Sequence, residues 1–62
     1  MDEVTYATID KVFTEACHQG GPFEAADATI TVIEKVFDKS CVEAYQMFYN
    51  WLDEEHARRN AC

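Results

Sequence analysis

The stretch DKSCVE (residues 38–43) decides how many helices this 62-residue chain forms. Apolar residues recur every three or four positions up to Phe37, and the same spacing resumes at Cys41. Two consecutive intervals of four shift the apolar stripe at this point. Ser40 followed three residues later by Glu43 is the capping-box pattern of a helix N-terminus. The stretch therefore predicts that one helix ends near residue 38 and that another covers about residues 41–60.

A stronger break precedes it in HQGGPFE (residues 18–24), which contains both glycines and the only proline. Gly20 suits the left-handed position after a helix, and Gly21 suits the cap of the next one. Pro22 suits the first position of a helix, where its missing N–H costs nothing. We therefore expect helix 1 over about residues 3–18 and helix 2 over about residues 22–38.

The resulting fold prediction is one all-α domain over residues 1–62, arranged as a small three-helix up-down bundle. The alternative is a single helix over residues 22–60, forming a helical hairpin that dimerises into a four-helix assembly. The segments IDKVFTEAC (9–17) and IEKVFDKSC (33–41) match at Ile, Lys, Val, Phe and Cys. Either an internal duplication or two helices built on one amphipathic template explains this match.

The third helix carries more apolar surface than one face can hold. In AYQMFYNWL (44–52) and its flanks, apolar residues cover roughly 200°, about twice the arc usual for a surface helix. One face is expected to close the core: Cys41, Tyr45, Phe48, Tyr49, Leu52 and His56. Met47 and Trp51 then lie at the edge, where we expect an apolar anchor for a partner or for self-association. The alternative is that they cap the groove between helices.

Charge and composition exclude several classes of function. Twelve acidic residues against five Lys and Arg give a net charge of −7, which argues against direct binding to nucleic acid or anionic lipid. This charge is compatible with docking on a basic protein surface, or with solubility alone. The chain has three cysteines, which lack the spacing of a disulfide scaffold, and neither a leader nor a long apolar run is visible. These features predict a cytoplasmic protein with reduced thiols.

Catalysis and cofactor binding are not expected. The chain has two histidines and lacks a glycine-rich phosphate loop. In an up-down bundle Cys17, His18, His56 and Cys62 approach one end, and these are ligand types that suit zinc. Because none of the familiar zinc spacings is present, we predict neither a metal nor another cofactor.

The acidic residues carry the functional prediction. Asp27, Glu34 and Asp38 fall within roughly 40° on helix 2, and the internal similarity gives Glu3 and Asp10 equivalent positions on helix 1. Carboxylates one or two turns apart are separated by about 6 to 10 Å, similar to phosphates along a nucleic-acid backbone. The pattern suggests a small acidic inhibitor or regulator that mimics nucleic acid, as phage or mobile-element proteins of anti-CRISPR or anti-restriction type do. Its partner would be a protein with a basic, nucleic-acid-handling surface.

A second hypothesis comes from a different class of function. Helix 3 of one chain would bury its apolar face against a second copy, giving a homodimeric structural or regulatory module without a nucleic-acid-related role.

Overall fold

The computed structural model describes residues 1–61 and consists of three helices without strands in that range. The helices are α1 (Glu3–Gly20), α2 (Pro22–Val36) and α3 (Cys41–Asn60). This arrangement confirms the predicted three-helix bundle. The alternative of one continuous helix over 22–60 is wrong, because the chain leaves the helical conformation between α2 and α3. None of the helices described is long and apolar enough to cross a membrane.

The connection between α2 and α3 is held by its own side chains and backbone. Asp38 adopts a φ of 53°, a left-handed conformation that Asp and Asn tolerate better than most residues. The N–H of Lys39 donates to the carbonyl of Glu34 at 3.0 Å. Ser40 and Glu43 form the predicted capping box, in which each side chain bonds the other residue's backbone N–H. The change of chain direction is therefore fixed by local bonds, independently of the contacts between helices.

The turn between α1 and α2 is tighter than expected. Gly21 has a φ of 87°, while Gly20 remains the last residue of α1. The Gly21 N–H donates to the carbonyl of Cys17 at 3.3 Å, which closes the helix end. Pro22 starts α2 immediately afterwards. The left-handed glycine is therefore Gly21, not Gly20, and α1 is two residues longer than predicted.

The core is formed by one face of each helix. Its buried hydrophobic cluster consists of Ile9, Ile30, Ile33, Ala44, Phe48 and Trp51. Aromatic side chains connect α1 to α3, since Phe13 lies 5.7 Å from Phe48 and 5.3 Å from Trp51 between ring centroids. Buried alanines on α2 and α3, Ala25 and Ala44, present little side-chain bulk.

The predicted core face of α3 is right for Phe48 and Leu52, which lie in or against the core, and wrong for both tyrosines. Tyr45 and Tyr49 are 44 % and 58 % exposed, whereas Trp51 is only 2 % exposed. The apolar arc of α3 offers two competing faces, and α1 and α2 together cover only one of them. The face with Ala44 and Trp51 is the one that turns inward.

Helix α1 lies across the C-terminal half of α3. The Met1 amino group approaches Glu54 at 3.5 Å. At the other end of α1, Cys17 and His18 share a cleft with His56. Helix α1 has 18 residues and is about 27 Å long. Both of its ends nevertheless approach the same short segment of α3, so the two helices cross. Crossing rather than side-by-side packing leaves a long part of α3 uncovered by α1.

Candidate protein-binding surfaces

Two of the predicted carboxylates stand together on α2. Asp27 is exposed and Glu34 is half-buried. They lie seven residues apart, which on a helix means two turns, about 10 Å, on one side. Neither side chain forms an ion pair or hydrogen bond within residues 1–61. These carboxylates are therefore available to an external cation.

Asp38 does not continue this row. Helix α2 ends at Val36, and Asp38 lies in the following turn with its backbone in the left-handed region. The prediction that Asp38 shares a helical face with Asp27 and Glu34 assumed a helix through residue 38 and is wrong in that respect. Its side chain is nevertheless exposed, and it too is unpaired among the described residues.

The two carboxylates on α1 have a different environment. Glu3 pairs with the Arg58 guanidinium, and this hydrogen bond holds the pKa of Glu3 below its usual value. Asp10 is half-buried and lines the cleft between α1 and α3. The structure thus brings Glu3 and Asp10 to the α3 side of α1, whereas Asp27 and Glu34 stand on α2.

The positive charges are unevenly distributed. Arg59 pairs with Glu55 at 2.9 Å, and Arg58 lies between Glu3 and Glu54. Both arginines are therefore used to neutralise carboxylates near the C-terminal end of α3. The three lysines are exposed and take part in no ion pair within the part of the chain that the structure describes. The uncompensated negative charge lies outside this arginine cluster.

A polar contact joins the first helix to the last. The Tyr6 hydroxyl donates to Glu55, and the Arg58 guanidinium carbon lies 3.8 Å from the centroid of the Tyr6 ring. The hydrogen bond to the Glu55 carboxylate raises the pKa of Tyr6 to about 12. The same bond lowers the pKa of Glu55. Together with the Glu3–Arg58 pair, this contact fixes α1 against α3.

Of the two predicted apolar anchors, Trp51 does not lie at the surface. Trp51 is buried among Tyr6, Phe13 and Phe48, with its centroid 5.8 Å from that of Phe48. Its Nε1 hydrogen-bond donor has no acceptor among the described residues. Met47 is half-buried and packs against the core. Trp51 therefore serves the monomer's core, and the expectation that it lies at the edge as an anchor is wrong.

The exposed apolar surface of α3 is a different one, which the sequence did not predict. Val42 is 68 % exposed, and with Tyr45 and Tyr49 it follows the i, i+3, i+7 spacing of one helical face. The rings of Tyr45 and Tyr49 stack with their centroids 6.1 Å apart. We call these three residues the α3 stripe. The wide apolar arc of α3 indicated two apolar faces, but it did not indicate which one would remain outside.

The cleft between α1 and α3 has a volume of about 370 Å³ and contains three of the four side chains considered for zinc. Cys17, His18 and His56 line it, as the helix arrangement led us to expect. Within residues 1–61, however, no three His, Cys, Asp or Glu side chains are placed to hold a metal ion. The fourth, Cys62, lies outside the described residues.

Comparison of the chain with protein-family models, with curated proteins and with solved structures finds no match.

Proposed function

We propose that this protein is a small acidic inhibitor or regulator that binds another protein stoichiometrically. Its target surface is basic and normally handles nucleic acid. The observation that carries the proposal is the unpaired state of Asp27, Glu34 and Asp38 in a chain of net charge −7. Carboxylates without internal partners retain their full attraction for Lys and Arg on a docking surface.

The spacing of the α2 carboxylates supports the choice of a nucleic-acid-handling surface. Asp27 and Glu34 lie about 10 Å apart on a rigid helix, which is about three times the axial rise of about 3.4 Å between successive phosphates of one DNA strand. Asp38 adds a third negative charge beyond the end of the helix. Of the five carboxylates first considered, Glu3 contributes least to docking, because Arg58 already neutralises it.

The test is capture of a partner followed by competition. Reduced protein is immobilised, a host lysate is passed over it, and bound proteins are eluted with rising salt. We expect a nucleic-acid-binding protein that elutes as salt increases, because screening weakens contacts between charges. Added DNA or RNA should displace it from the immobilised chain.

Matched charge variants make the test specific. The double variant Asp27→Lys, Glu34→Lys and the control Glu15→Lys, Asp53→Lys each reverse two carboxylates and leave the same net charge. Both control residues are exposed, and they lie on α1 and α3. The α2 variant should lose the partner at least tenfold more than the control does. Equal effects of the two variants, or a captured partner that keeps its nucleic acid, would contradict the proposal.

A further inference from the structure

The side chains of the α3 stripe stay 44–68 % exposed in the described chain. Val42, Tyr45 and Tyr49 point away from the core that Ala44, Phe48 and Trp51 fill from the opposite side of the same helix. A helix that is apolar on both sides normally has a partner on both sides. The monomer supplies only the inner one.

We propose that the α3 stripe binds a second copy of this chain, in an antiparallel pair of α3 helices related by a twofold axis. The axis lies midway between Tyr45 and Tyr49. Tyr45 of one copy then packs beside Tyr49 of the other, and the two Val42 side chains lie at opposite ends of the contact. Such an interface is isologous, so each favourable contact occurs twice.

The distribution of charge favours a second copy over other occupants. Residues 44–52 contain no charged side chain, although the chain as a whole carries a net charge of −7. Two copies repel each other wherever carboxylates meet, so this uncharged segment is where they approach at least cost. An anionic membrane or nucleic acid would instead require positive charge. Antiparallel pairing also aligns the two helix dipoles favourably.

The available area indicates a weak dimer. A tyrosine presents roughly 150–250 Å² of surface, so the exposed parts of Tyr45, Tyr49 and Val42 give roughly 300 Å² per copy. Both copies together contribute roughly 600 Å² from these side chains, which is below the about 1,000–1,200 Å² at which specific, stable interfaces begin. We therefore expect a dissociation constant in the micromolar range rather than the nanomolar range.

The first measurement is the concentration dependence of mass. In analytical ultracentrifugation of the reduced full chain, the average mass should rise from monomer toward dimer between about 5 and about 500 µM. Added salt should strengthen the association, because it screens the repulsion between acidic copies. This response is opposite to that of docking on a basic partner. A mass that stays monomeric over this range would overturn the proposal.

Two exposed aromatic positions supply a variant and its control. Tyr49→Glu should weaken the dimer at least tenfold, because each copy then places a carboxylate in the apolar pairing. Phe23→Glu makes the same charge change at a residue that is 93 % exposed at the start of α2. It should leave the association unchanged. Circular dichroism checks that both variants stay folded; persistent dimerisation of folded Tyr49→Glu would place the contact elsewhere and reject the α3 stripe.

Mixing experiments test the register. Tyr49→Glu should regain association when mixed with Tyr45→Lys, since the antiparallel pairing places those two side chains together. Mixing it with Tyr49→Lys should not restore association. The reverse result, rescue by Tyr49→Lys alone, would indicate a parallel pair and overturn the antiparallel arrangement.

Discussion

Trp51 shows how strongly a small core depends on one large ring. Its indole is buried although the Nε1 donor lacks an acceptor among the described residues, an arrangement that costs about 1–3 kcal/mol. The ring contacts with Phe13, Phe48 and Tyr6 outweigh that cost. Trp51 is therefore the wrong residue for testing self-association, because its removal acts first on folding.

Trp51→Ala is expected to lower the free energy of unfolding by a large part of its total. Deleting a buried tryptophan costs about 3–5 kcal/mol, and a chain of this size has a total stability of about 3–9 kcal/mol. Urea unfolding followed by far-UV circular dichroism measures the loss. Trp51→Phe keeps an aromatic ring and removes the unpaired N–H, so it should lose less.

The exposed Tyr49→Ala is the control for this prediction. Because its side chain lies outside the core, the unfolding free energy should change by no more than about 0.5 kcal/mol. Equal stabilities of Trp51→Ala and Tyr49→Ala would contradict the assignment of Trp51 to the core.

At the level of helices, the break between α2 and α3 depends on local signals. Ser40 and Glu43 make the capping box seen in the sequence, and the Ser40 backbone N–H bond is the main reason that the pKa of Glu43 is lowered. Ser40→Ala removes the hydroxyl that accepts from the Glu43 N–H at 3.2 Å. We expect the free energy of unfolding to fall by about 1 kcal/mol, measured by urea titration.

Ser40→Asn is the matched variant, because asparagine caps helices about as well as serine does. It should unfold within a few tenths of a kcal/mol of the natural chain. If Ser40→Ala and Ser40→Asn were equally stable, the cap would not be what fixes the start of α3.

The same local signals explain which parts of the fold could be predicted from the sequence. Caps and breakers act within a few residues, so the start of α3 at Cys41 follows from Ser40 and Glu43 alone. The similar segments at 9–17 and 33–41 show the limit of such reasoning, since the first stays helical and the second leaves the helix after Val36. Thr14 remains within α1, whereas Asp38 adopts a left-handed conformation.

The orientation of α3 could not be predicted in this way. Its inward face depends on whether Trp51 or Tyr45 fits better against α1 and α2, which is a property of the packed molecule. The candidate sites changed for the same reason. Asp27 and Glu34 lie on one side of α2, as predicted. Trp51, however, lies in the core, and the exposed apolar face of α3 is the α3 stripe.

Across the whole molecule, charged side chains fall into two groups: the α2 carboxylates, which have no partner in the described chain, and the arginine pairs, which hold α1 and α3. The unpaired carboxylates of α2 form no ion pair or hydrogen bond that holds the described helices together. The pairs formed by Arg58 and Arg59 instead join or brace α1 and α3. The proposed docking on a basic surface would give the α2 carboxylates the cations that the described chain does not supply.

The Tyr6–Glu55 bond between α1 and α3 predicts a stability that falls at both ends of the pH scale. Folding lowers the pKa of Glu55, so its contribution is present above the ordinary value of 4.5 and is lost as the pH falls through the folded pKa. Folding raises the pKa of Tyr6 from 10.0 to about 12, so its contribution is complete below pH 10 and is lost as the pH rises toward 12.

Tyr6→Phe tests this origin, because it removes the hydroxyl and keeps the ring under Arg58. Urea midpoints are compared between the natural chain and the variant at acid, neutral and alkaline pH. The difference between them should be largest near neutrality and should shrink in acid and above pH 10. The two chains differ only in this hydroxyl, so the comparison isolates its contribution. A difference that stays constant across the range would mean that Tyr6 stabilises the α1–α3 contact through its ring alone, without the charge-assisted bond to Glu55.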